Sequence, residues 1–133
     1  MESSFSEAET RHVRVKVKAR FSPDHSDLER GIWFYLYTIT IENTGSDTVQ
    51  LLNRHWEITD GNGHVEHVRG PGVVGKQPVL KTGESFEYTS GCPLKTPFGF
   101  MSGEFEMILL QSEETFLAEV AGFALRQSPQ SLN

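Results

Sequence analysis

One cysteine, Cys92, is all the thiol that this chain of 133 residues contains, so no disulfide can form within it. A fold without such staples is expected in a reducing compartment. No stretch approaches the roughly 20 consecutive apolar residues that cross a bilayer as a helix. Cations are also scarce: 12 Lys and Arg stand against 18 Asp and Glu, a formal charge of −6. Neutralising a phosphate backbone takes a basic surface, so nucleic acid is not an expected partner. The segment Met1 to Glu7 has neither a basic start nor an apolar run, the pattern of neither a secretory nor a transit peptide. A cytoplasmic protein without membrane insertion is the expectation. No window carries an apolar stripe at helical period for three turns, which leaves little place for helices.

The catalytic inventory is as thin. Neither G-x-S-x-G, nor a Walker loop, nor a paired set of carboxylates occurs. Cys92 lies between Gly91 and Pro93 without a base beside it, and a lone cysteine behaves as a small hydrophobe. His64 and His67 are three apart and would project from opposite faces of a strand. No Cys or Glu nearby supplies metal-ligand spacing, and His55 beside Trp56 reads equally well as a strand residue. No catalytic residue, metal ligand or cofactor is therefore expected.

What the chain does have is aromatic bulk and period-2 alternation. Nine Phe, three Tyr and two Trp supply enough buried area for one domain's core. Val13, Val15, Val17, Ala19 and Phe21 alternate with Arg14, Lys16, Lys18 and Arg20, the pattern of a half-buried antiparallel strand. The basic face is either solvated, a protected edge, or a contact for a phosphate chain or an acidic partner. Further strands are expected over 33–42, 49–59, 64–68, 79–80, 85–90, 101–110 and 115–124. Turn signals separate them, among them Asn43-Thr44-Gly45-Ser46 and Asp60-Gly61-Asn62-Gly63. The expected fold is all-β: an immunoglobulin or fibronectin type III-like antiparallel β-sandwich of about eight strands. Residues 1–10 and 127–133 are expected as flexible tails flanking a sandwich domain over 11–126.

Three features carry candidate function. The run from Arg69 to Pro78 spells G-x-G-x-x-G, but Pro78 and Gly83 follow too soon for the helix that a dinucleotide site requires. Arg69, Gly70, Gly72, Gly75 and Lys76 could instead form an amide nest for a small anion, or simply shape a long connection. The run Gly91 to Gly99 reads as a second loop. In the stretch Cys92 to Met101, Leu94, Phe98 and Phe100 either plug one end of the sandwich or expose a protein-docking patch. Arg54 shares the phase of Leu52, Trp56 and Ile58, so an inward-facing guanidinium needs a carboxylate, a carbonyl or a ligand.

Three runs together also resemble the ApaG family, called CorD in bacteria. They are Asn53-Arg54-His55-Trp56-Glu57-Ile58-Thr59-Asp60, the glycine run Gly70 to Pro78, and Thr89 to Gly99 with Met101-Ser102-Gly103 and Phe105. The similarity covers Val13 to Ala124 and is closest to the bacterial single-domain form. The resemblance implies the same β-sandwich and a role beside divalent-cation (cobalt and magnesium) efflux. It implies a gene neighbour encoding a diadenosine tetraphosphate hydrolase, and protein-interaction roles for related domains in F-box proteins and a polymerase-interacting protein. It also implies nucleotide or pyrophosphate binding at the glycine loop. The leading reading is a non-enzymatic binding module for an unidentified protein partner, and the alternative is a small-anion binder. Open sheet edges leave room for a homodimer.

Overall fold

The computed structural model describes residues 3–127. Nine strands make up most of them: β1 (Ser4–Thr10), β2 (Val13–Phe21), β3 (Trp33–Asn43), β4 (Val49–Asp60), β5 (Val65–Pro71), β6 (Val79–Leu80), β7 (Ser85–Leu94), β8 (Phe98–Leu109) and β9 (Thr115–Arg126). One antiparallel sheet runs β1-β2-β3-β7. The other runs β5-β4-β8-β9, with β6 also paired to β4. The two pack as a sandwich of the immunoglobulin and fibronectin type III kind. Two short 3-10 turns, Pro23–His25 and Leu28–Arg30, occupy the loop before β3. No helix among the described residues is long and apolar enough to cross a membrane.

The alternation in β2 works as expected, with Val13, Val15, Val17, Ala19 and Phe21 buried and the four cations turned out. From the other sheet Trp56 and Phe123 meet Tyr37 of β3 and Phe105 packs on Trp56, the Tyr37–Trp56 and Trp56–Phe105 rings lying edge to face. Such pairs are favourable beyond their buried area. Gly103 lets β8 pass β4 closely, because a Cβ there would stand 2.1 Å from the His55 carbonyl oxygen.

Two expectations need correction. The segment expected as an N-terminal tail is β1 over Ser4–Thr10, fully paired with β2. Its less exposed residues are Ser4, Ser6, Ala8 and Thr10, so no apolar period marks it. Charge does: Glu7 opposes Lys16 and Glu9 opposes Arg14, with Arg14 Nε 3.1 Å from Glu9 Oε1. β1 also covers β9, through Ser6 Oγ donating to the Ala121 carbonyl (2.8 Å) and the Glu119 amide donating to Thr10 Oγ1 (3.0 Å). The expected C-terminal tail, 127–133, lies outside the described residues apart from Gln127.

The second correction concerns Gly91 to Gly99. β7 continues through Pro93 to Leu94 and β8 begins at Phe98, so the loop shrinks to Lys95, Thr96 and Pro97. Pro93 is tolerated because β7 is the sheet's edge, where a missing N–H leaves no ladder bond unmade. The Tyr35 phenol donates to the Pro97 carbonyl at 2.5 Å and anchors the turn from β3. Contact between β1 and β9 closes one side of the sandwich, and the β5 and β7 edges flank an opening on the other.

Candidate functional site

The glycine run is an excursion from the edge of β4. A bulge breaks the β4–β8 register between Leu51 and Asn53. On the other edge of β4, β5 pairs from Asn53 onward and β6 pairs only with Val49 and Gln50. The intervening chain is clamped to the bulge. The Gly72 amide donates to the Leu52 carbonyl (2.9 Å), as does Gln77 Nε2 (2.9 Å), and the Leu51 amide donates to the Pro78 carbonyl (3.0 Å). At the tip Val73 and Lys76 exchange amide–carbonyl bonds of 2.8 and 2.9 Å around Val74 and Gly75, whose φ angles are 44° and 78°.

The residues of the expected anion nest are thereby spread out. The Gly72, Val73 and Lys76 amides donate to backbone carbonyls. Gly70 and Arg69 belong to β5 rather than to a loop, opposite Arg54 and His55 respectively. Arg69 lines a shallow depression on the outer sheet face with His55, Pro71 and Glu104. Gly75 and Lys76 sit in the tip. Gly72 is needed for a local reason: at φ 63° its Cβ would meet the Lys76 carbonyl oxygen at 2.4 Å.

The three residues of the expected docking patch also divide. Leu94 is buried at 5% exposure and packs over Gly99, so it belongs to the core. Phe98 and Phe100 remain 52% and 48% exposed. Their rings lie over glycines: a Cβ on Gly61 would stand 2.9 Å from the Phe98 ring, and one on Gly122 would stand 2.2 Å from that of Phe100. Thr59 pairs with both Phe100 and Val65, which sets Val65, itself 44% exposed, on the same outer face. The outcome is an apolar outer end of the larger sheet. Thr96 ties it together, accepting from the Gly61 amide (2.8 Å) and donating to the Phe98 carbonyl (2.6 Å).

Between the sheets, on their open side, lies a cleft of about 830 Å³ lined by Tyr37, Arg54, Trp56, Tyr88, Cys92 and Met101, with the glycine-run tip at its lip. Arg54 faces inward with Trp56 and Ile58, but Leu52 does not share its phase, because the bulge intervenes. Its Nη1 donates to the carbonyls of Pro71 and Gly72, both at 3.0 Å, and no described carboxylate forms an ion pair with it. Burial holds the Cys92 thiol protonated, pushing it up to about 12, with Glu66 adding to the shift. Burial likewise pushes the Tyr88 phenol far above its ordinary value.

Sequence spacing pairs His64 with His67, whereas strand register brings His67 to His55. Their Nδ1 and Nε2 lie 3.0 Å apart, the rings stack at 5.2 Å, and His55 Nδ1 is 3.1 Å from Glu104 Oε1. Among the described residues no three His, Cys, Asp or Glu side chains are grouped to hold a metal ion.

Comparison with known proteins agrees with this architecture. Residues 23–109 match the ApaG domain. Protein ApaG of Bradyrhizobium sp. (strain ORS 278) is 52% identical over 118 residues, which is 89% of this chain and 90% of that protein. Protein ApaG of Beijerinckia indica subsp. indica is 48% identical over 116 residues, 87% of this chain and 88% of the other. A crystal structure of the Bordetella pertussis protein designated ApaA superposes with a TM-score of 0.84 at 44% identity, covering 88% of this chain and 94% of that one. This chain belongs to the ApaG family.

Proposed function

We propose that the chain is a non-enzymatic protein-interaction module that docks its partner on the outer face carrying Phe98, Phe100 and Val65. One observation carries the reading: two phenylalanines about half exposed, laid over Gly61 and Gly122, beside a third exposed apolar side chain. Large aromatics in a contiguous patch lose water on docking, and rigid presentation keeps the entropy cost low. The strands beneath fix the patch, so it is offered preformed. Arg126 pairs with Phe98 across β8 and β9 and supplies a cation at the rim. By family resemblance, the partner belongs with divalent-cation efflux.

A nucleotide or pyrophosphate held by Arg69, Gly70, Gly72, Gly75 and Lys76 has less support, since three amides of that run already donate to backbone carbonyls. Affinity purification with the wild type, a Phe98→Ser/Phe100→Ser double variant and an Arg69→Ala/Lys76→Ala double variant separates the readings. The docking reading expects a co-purifying protein lost only with the first variant. Loss with the second alone transfers recognition to the glycine run.

A further inference from the structure

The inter-sheet cleft has the size and lining of a small-molecule site, quite apart from the outer docking face. Its volume of about 830 Å³ falls within the range of such sites, roughly 300–1,000 Å³. Its floor is aromatic and fixed: Tyr37 and Trp56 pack edge to face at 5.6 Å, with Met101 and Val68 beside them. Among the polar groups that interrupt this apolar lining, two keep hydrogen-bonding capacity that the fold leaves unused.

The first is Tyr88. The residue is 8% exposed, it lines the cleft, and its hydroxyl is buried without a hydrogen-bond partner from the protein. Burying a hydroxyl unpaired is unfavourable, and native proteins rarely leave one so without a use for it. The second is Arg54, whose charge has no carboxylate counter-ion among the described residues. The two carbonyls it reaches engage one terminal nitrogen, and the guanidinium fork has three further N–H groups to offer. Tyr37, Tyr88 and Arg54 surround one volume, close enough that the guanidinium charge opposes the upward shift of both phenols.

A third feature marks the lip. Val74 is β-branched, more than half exposed, and held at φ 44°, a conformation that such residues rarely adopt. Strain of this kind clusters at ligand clamps and persists only where surrounding structure enforces it.

We propose that this cleft binds a small organic carboxylate with a flat apolar body. The carboxylate accepts from the Arg54 guanidinium and from the Tyr88 hydroxyl once that side chain turns to meet it, and the body lies against Trp56 and Tyr37. A planar fork and a phenol are matched donors for two carboxylate oxygens. The lining decides against a polyphosphate. Asp60 and Glu66 border the same cleft and offset Arg54 and Lys95, leaving no surplus of positive charge for a polyanion, while Trp56, Val68, Val73 and Met101 suit a hydrocarbon surface.

The test is a chemical-shift titration of the isotope-labelled full chain with 3-phenylpropionate. 3-Phenylpropan-1-ol serves as the neutral isostere, and inorganic phosphate as the anion without a body. The expected result is saturable shifts confined to Tyr37 and to 54–56, 73–75 and 88–92, with the alcohol and phosphate each at least tenfold weaker. Tyr88→Phe is expected to weaken the carboxylate at least fivefold while melting no lower than the wild type. Arg54→Lys, which keeps the charge but loses the fork, is expected to weaken it comparably. Equal binding of acid and alcohol, unchanged affinity in Tyr88→Phe, shifts elsewhere on the surface, or a still spectrum at millimolar acid would each overturn the proposal. Docking at Phe98 and Phe100 is unaffected by any of these results.

Discussion

The Arg54 guanidinium lies across Gly70, where a Cβ would stand 3.1 Å from both of its terminal nitrogens. The first glycine of the G-x-G-x-x-G run therefore has a packing role: it makes space for an inward cation that ties β4 to the Pro71 and Gly72 carbonyls. Gly70→Ala should lift the guanidinium and weaken both bonds. A loss of about 1.5–3 kcal/mol in urea denaturation is expected, the range for charged hydrogen bonds. An unchanged midpoint would mean that Arg54 relaxes without cost.

Val74 and Gly75 adopt φ values of 44° and 78° in the tip, the arrangement for which Asn-Gly is the favoured pair. Val74→Asn should remove local strain and stabilise the chain by about 1 kcal/mol. Thermal melting is the check, and a lower melting temperature would contradict the strain argument.

Leu94 and Phe98 stand four positions apart, yet the first is buried and the second half exposed. Leu94→Ala should cost about 2–5 kcal/mol, as a core truncation does. Phe98→Ser and Phe100→Ser should each cost about 1–2 kcal/mol, since only part of each ring leaves water on folding. If all three variants unfold at the same denaturant concentration, the rings are core and the docking face has no anchor.

Burial lifts Tyr35 and Cys92 each to about 12, above their ordinary values of 10.0 and 9.0. In both cases the unfolded chain releases its proton first, so stability is full below those ordinary values. It falls as pH rises from about 9 toward 12, because the unfolded state then binds fewer protons than the native one. Urea midpoints between pH 8 and 11 should therefore decline, and Cys92 should resist alkylation at pH 8 until the protein unfolds. A flat profile, or rapid labelling of the native protein, would contradict the burial.

Much of the sandwich is legible in the chain because half-buried strands repeat every second residue, as Val13 through Phe21 do. Where pairing rests on something other than apolar side chains, that signal disappears. β1 is held by its ladder to β2 and by Glu7 and Glu9 facing Lys16 and Arg14, so its Ser, Ala and Thr face reads as a tail. Pro93 and Pro97 give a strand edge and a tight turn the composition of a loop. The cleft is less legible still. Arg54, Tyr88 and Trp56 come from two different sheets, and Tyr88 stands out only by its missing partner. Arg54 alone shows in the sequence, as a cation in an apolar phase. His55 and His67 meet through strand register rather than through local spacing.

Docking on the outer face is tested most directly by replacing Phe100 with p-benzoylphenylalanine and irradiating cells that express the full chain. The same photoreactive residue placed at Leu28, equally exposed but remote in sequence from the patch, is the control. One discrete cross-linked protein is expected from position 100, absent from position 28 and suppressed by Phe98→Ser in the same chain. Adducts of equal yield from both positions, or none from position 100, would contradict it.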